Sequence, residues 1–119
     1  MSINKIKNDY QNKNSNQQLN QTLSILSKYP DRVPIILKRK IDNIEYIDKE
    51  KYLVPKNLTI GQFIYIIRQR MELNSNEAIY LFVSNTVIQT SQEISYIYEQ
   101  YKSKDQFLYL TYSKESTFG

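Results

Sequence analysis

Paired carboxylates are the acid–base device this sequence leaves open, and Asp42, Glu45 and Asp48 are the candidates for it. They lie in a charged connection, residues 38–50, with no apolar pattern around them that would build a pocket. Much other catalytic chemistry is excluded by composition. The 119 residues include no Cys and no His, which rules out Cys–His and Ser–His nucleophile systems, thiolate or imidazole metal sites and disulfides. Gly61 and Gly119 are the only glycines, so neither a P-loop nor a dinucleotide-binding fingerprint fits. No catalytic residue, metal or cofactor is expected. The residue types favour a binding or carrier protein over an enzyme.

A basic balance invites a second chemistry. The 16 basic and 12 acidic side chains leave a net charge of +4. Such an excess is compatible with anionic membranes, acidic partners or nucleic acid and selects none of them. The 11 tyrosines could serve as a stacking platform for bases. The dense basic run, however, is Arg32, Lys38, Arg39 and Lys40, and no aromatic residue is interleaved with it. Nucleic acid is therefore not an expected partner. The longest apolar stretch, Phe63 to Ile67, falls far short of the roughly 20 residues that cross a bilayer. The first residues show no basic-then-apolar signal pattern.

The elements that must position any site follow from periodicity. Ten of residues 1–21 are Asn or Gln, which predicts a poorly ordered start over about residues 1–16. Leu19, Leu23 and Leu26, with Ile25 beside them, then have the spacing of a short amphipathic helix, ended by Tyr29-Pro30. Residues 32–38 are rich in β-branched side chains and predict a strand, with Val33, Ile35 and Leu37 on one face and Pro34 and Ile36 on the other. Residues 51–55 predict a second strand, with Lys51 and Leu53 opposite Tyr52 and Val54. Thr59 and Gln62 match a capping box. The helix it opens carries Ile60, Ile64, Ile67 and Met71 on one stripe. Phe63, Ile66 and Arg70 lie round from that stripe, leaving an apolar flank for a second packing partner. Residues 80–83 predict a third strand, Ser84 to Thr86 a turn, residues 93–101 a helix and residues 107–112 a fourth strand. The order predicts an α+β fold of the β-grasp type, a four-stranded mixed sheet with covering helices whose first and last strands are central and parallel. Residues 1–28 form a helical extension, 29–112 the domain and 113–119 a flexible tail.

From Tyr29 onward the chain resembles the autophagy-related protein 8 family of ubiquitin-like modifiers, which includes GABARAP and the microtubule-associated light chains. The resemblance rests on Tyr-Pro-Asp-Arg-Val-Pro-Ile-Ile (29–36), Ile-Asp-Lys-Glu-Lys-Tyr-Leu-Val-Pro (47–55), Leu-Thr-Ile-Gly-Gln-Phe (58–63), Ile-Arg-Gln-Arg (67–70), Phe-Leu-Tyr-Leu-Thr-Tyr-Ser (107–113) and a final Phe-Gly. Residues 1–28 lack the family's Pro-Phe pair, and Gln89 and Thr90 stand where many members have Pro-Pro.

The resemblance implies a carrier whose Gly119, preceded by Phe118, is adenylated by an activating enzyme. The acyl group then passes through thioesters on other proteins to the amine of phosphatidylethanolamine. It implies activating and conjugating enzymes as partners, a cysteine protease for processing or release, and a cytoplasmic protein that is monomeric until lipidation attaches it to autophagosome membranes. Attachment to a protein acceptor is the alternative. Whether Gly119 is exposed by processing stays open. The resemblance also implies a two-pocket groove for an aromatic-x-x-aliphatic motif carried by receptors and adaptors. The peptide adds a strand beside the second strand. The aromatic pocket would comprise Ile25, Pro34, Ile36, Lys51, Leu53 and Phe107, with Gln21 where an acidic residue is usual. The aliphatic pocket would comprise Tyr52, Val54, Pro55, Leu58, Phe63 and Ile66, with Arg70 beside it.

Overall fold

In the computed structural model, which describes the backbone of residues 3–15 and the whole of residues 16–40, 44, 46–74 and 76–115, the β-branched run Arg32–Arg39 forms strand β1. Lys51–Pro55 forms β2 and pairs with it antiparallel, Val33 opposite Val54 and Ile35 opposite Tyr52. Tyr80–Val83 is β3 and Leu108–Ser113 is β5. β5 runs parallel to β1, with Ile35 beside Leu108, so the first and last strands are central as predicted. The expected count of four strands needs a correction. Thr86–Val87 forms β4, which makes five, in the order β2-β1-β5-β3-β4. The reason is the turn before it. Ser84 and Asn85 have φ of 48° and 64°, the left-handed pair that closes a two-residue hairpin and brings the chain straight back onto β3.

Three helices cover the sheet: α1 (Ile3–Lys28), α2 (Ile60–Met71) and α3 (Ile94–Tyr101). The expected capping box is present at α2. The Gln62 N–H donates to Thr59 Oγ1 at 3.2 Å, and the Thr59 N–H donates to Gln62 Oε1 at 3.0 Å. Gly61 lies against the loop before α3. A Cβ there would stand 3.3 Å from the Thr90 carbonyl, which also accepts the Gly61 N–H. The first helix is longer than its apolar spacing predicts, since its backbone is helical from Ile3 rather than only around Leu19 to Leu26. No Pro or Gly interrupts residues 3–28, so nothing stops the helix from extending upstream.

Strand alternation divides the interior. Val33, Ile35, Leu37, Tyr52, Val54, Leu81, Val83, Leu108, Leu110 and Tyr112 face the main core with Ile60, Phe63, Ile67 and Met71 of α2 and Ile94 and Ile97 of α3. Phe63 is fully buried, whereas Ile64 is only partly so. Phe63, expected on the flank of α2, therefore belongs to its core stripe. The opposite face carries Pro34, Ile36, Leu53 and Tyr109, and α1 lies across it. Ser113, expected to begin the tail, is the last residue of β5 and is buried.

Candidate functional site

β2 is an edge strand, and its register fixes which backbone groups are left over. The Leu37 N–H donates to the Glu50 carbonyl at 2.8 Å. Antiparallel alternation then turns the Tyr52 and Val54 amides towards β1 and those of Lys51 and Leu53 towards the open edge. Pro55 also points outward, so its missing N–H costs the ladder nothing. The edge approaches one side chain: Arg32 Nη1 stands 3.5 Å from the Leu53 carbonyl oxygen.

On the α2 side of this edge is a cavity of about 500 Å³ lined by Arg32, Lys49, Tyr52, Leu53, Val54, Pro55, Ile66, Gln69 and Arg70. It brings together five of the seven residues expected in the aliphatic pocket. Ile66 is 40% exposed, an apolar side chain left open on α2. Leu58 and Phe63 do not line the cavity. Leu58 packs partly buried against the main core. The Phe63 ring meets Tyr52 edge-on, with centroids 5.2 Å apart, and supports the wall from beneath. Leu53, expected only in the aromatic pocket, borders this cavity as well.

The cavity rim is cationic. Arg70 Nε donates to Asp48 Oδ1 at 2.7 Å and so ties α2 to the β1–β2 connection. Lys49 Nζ lies 5.0 Å above the Tyr52 ring. The sequence pattern missed Arg32, Lys49 and Gln69, although Gln69 sits three residues after Ile66 on α2, the spacing of one helix face. Tyr52 is 7% exposed, and its buried hydroxyl has no hydrogen-bond partner among the described residues. Burial pushes the Tyr52 hydroxyl up to about 12; Arg70 opposes the shift and Asp48 adds to it.

The expected aromatic-pocket residues share the other face. Pro34 pairs with Leu53 and Ile36 with Lys51 across β1 and β2. Pro34, Ile36 and Phe107 are buried, Leu53 and Ile25 half-buried, and Lys51 exposed. Lys51 Nζ stands 6.0 Å from the Phe107 ring centroid. Gln21 is exposed on α1. Phe118 and Gly119, expected at the conjugated end, lie outside the described residues, as do Asp42 and Glu45. Asp48, the remaining carboxylate of that set, is the ion-pair partner of Arg70. Among the described residues there is no group of three or more His, Cys, Asp and Glu fit for a metal, and no helix long and apolar enough to cross a membrane.

A mixed sheet with parallel central strands and a helix packed across one face defines a ubiquitin-like β-grasp protein. The sequence model described as "Autophagy protein Atg8 ubiquitin like" matches residues 17–119. Autophagy-related protein 8a of Arabidopsis thaliana is 47% identical over 102 residues, 85% of this chain and 84% of that protein. Autophagy-related protein 8 of Schizosaccharomyces pombe is 52% identical over 97 residues, 80% of this chain and 79% of that one. Among solved structures, Trypanosoma brucei ATG8 superposes with a TM-score of 0.80 at 36% identity, covering 88% of this chain and 91% of its own. Plasmodium falciparum Atg8, solved in complex with a peptide of P. falciparum Atg3, gives 0.76 at 37% identity, covering 87% and 93%. The chain belongs to the Atg8 family of ubiquitin-like autophagy proteins, which are modifiers and not enzymes.

Proposed function

We propose that this protein is conjugated through the Gly119 carboxylate to the amine of phosphatidylethanolamine and recruits receptors and adaptors through a groove along β2. The observation that carries the groove is the open β2 edge with apolar walls on both faces, the Tyr52–Ile66 cavity on one side and Leu53, Ile36 and Phe107 on the other. An extended peptide bonds its backbone to the outward amides of Lys51 and Leu53. Its alternate side chains then enter the two pockets, the aromatic one beside Phe107 and the aliphatic one beside Ile66. The cationic rim of Arg32, Lys49 and Arg70 suits a peptide flanked by carboxylates. The Atg3 peptide on the P. falciparum relative supports a conjugating enzyme of that kind as a partner of this chain.

In the conjugation itself the protein is substrate. ATP converts the Gly119 carboxylate to an acyl adenylate with release of pyrophosphate. A cysteine thiolate of the activating enzyme displaces AMP, a thiolate of the conjugating enzyme displaces that thiolate in turn, and the lipid amine displaces the last thiolate, losing a proton, to leave an amide. A glycine end, with Phe118 before it, offers the least hindered acyl group to each enzyme. A cysteine protease hydrolyses an amide at the Gly119 carbonyl, a peptide bond in processing and the lipid amide in release, and each cleavage frees an amine and leaves the Gly119 carboxylate. The protein is a cytoplasmic monomer before this step and resides on autophagosome membrane after it. Reconstitution with activating and conjugating enzymes, ATP and phosphatidylethanolamine liposomes, read by mass spectrometry, should give a lipid adduct at Gly119 and none for the Gly119 deletion. An adduct on protein lysines instead of lipid would favour the protein-acceptor alternative, and lipidation of the deletion variant would refute the carrier reading.

A further inference from the structure

α1 rests on the sheet by two kinds of contact. Thr22 is fully buried and Ile25 and Leu26 are half-buried, so the downstream end of the helix packs. The turn before it is held differently. Gln18 Nε2 donates to Asp105 Oδ2 at 3.1 Å and to the Tyr109 hydroxyl oxygen at 3.0 Å. The Tyr109 hydroxyl donates its own proton to Asp105. The Phe107 N–H donates to Asp105 Oδ1 at 3.0 Å. Beside these bonds a cavity of about 520 Å³, lined by Asn16, Leu19, Ser103, Lys104 and Asp105, undercuts the helix. Polar contacts therefore hold this turn together with the half-buried Leu19. Burial first, and the bond to Asp105 second, push the Tyr109 hydroxyl up to about 12, so it remains a donor at neutral pH.

The network is continuous with the groove. Ile25 follows Gln18 by seven residues, two turns along the same face of α1. Phe107 is tied to Asp105 through its own amide, and its ring lies 6.4 Å from that of Tyr109. We propose that Gln18, Asp105 and Tyr109 form a latch that holds α1 onto the sheet and thereby sets the spacing of Ile25 and Phe107. All three are positioning residues for the affinity of the aromatic pocket. This inference rests on the two-pocket reading and adds to it the part of the molecule that sets the width of one pocket.

Gln18→Ala, Tyr109→Phe and the double variant test it in the full chain. Alanine is the better helix former, so the first change does not weaken α1 itself. The second keeps the ring. Amide exchange over residues 18–25 should quicken about three- to tenfold in each single variant, the scale of one or two lost hydrogen bonds. Affinity for a Trp-x-x-Leu peptide should fall by a similar factor. The double variant should be no worse than the weaker single, because either change opens the same latch. Unchanged exchange, faster exchange with wild-type affinity, or additive losses in the double variant would each overturn the latch. A wild-type chain that binds no such peptide would instead refute the groove reading, and the positioning role with it.

Discussion

Tyr52 shows how one side chain serves both the fold and the groove. Its ring is packed edge-on against Phe63 in the main core, while its edge borders the open cavity. The buried hydroxyl, without a hydrogen-bond partner among the described residues, costs stability, so Tyr52→Phe should raise the unfolding free energy at pH 7 by about 1 kcal/mol. Chemical denaturation checks this. The same hydroxyl predicts alkaline sensitivity. Its folded value is about 12 against 10.0 in the unfolded chain. Below pH 10 it contributes no pH dependence. As pH rises from 10 towards 12 the unfolded state loses its proton first, and stability falls. Tyr52→Phe should flatten part of that fall, and an identical alkaline profile for the variant would contradict the assignment. Tyr52→Ala should behave differently, because truncating a buried ring in the core costs roughly 3–5 kcal/mol. Alanine there confounds any binding assay. Leu53, half-buried on the other face, is the cleaner probe of the groove.

The helix α2 carries the cavity's Ile66, Gln69 and Arg70 and is fixed at its start by the Thr59 capping box. Thr59→Ala removes one half of that box and should cost about 1 kcal/mol in a thermal or denaturant melt. Loss of less than a few tenths would mean that packing alone sets the helix start. Elements of this length were legible in the sequence. The β-branched runs, the capping box and the two-residue alternation located β1, β2, α2, α3 and β5 to within a residue or two. β4 was not legible, because two residues cannot display a period and only the left-handed pair Ser84 and Asn85 produces it. The burial of Phe63 was hidden for another reason. Helical spacing gives each residue an azimuth, but contact with Tyr52, on the preceding strand β2, decides which flank faces the core. For the candidate site, the faces of Leu53 and Tyr52 follow from alternation alone. The rest of the cavity lining does not, because Arg32, Lys49 and Gln69 converge from β1, from the connection before β2 and from α2.

For the molecule as a whole, the distribution of charge and of packing separates a body from an extension. Much of the basic run is engaged within the fold: Arg39 stacks 3.6 Å from the Tyr46 ring centroid, and Lys40 Nζ donates to Asn85 at 3.1 Å. Arg32, at the other end of that run, instead joins Lys49 at the cavity beside β2. The Asn- and Gln-rich start of α1 lies upstream of the anchors Gln18 and Thr22. A helical segment so rich in Asn and Gln has little apolar surface to bury and is marginal in water. Amides of residues 3–12 should therefore exchange far faster than those of residues 63–67, and equal protection would show a docking contact for the start of α1. The central claim concerns the β2 groove, and calorimetric titration of an aromatic-x-x-Leu peptide into the wild type and Leu53→Ala tests it most directly. The account predicts binding to the wild type and a loss of about tenfold, or about 1.4 kcal/mol, in a variant that still melts cooperatively. A folded Leu53→Ala protein that binds the peptide with undiminished affinity would contradict it.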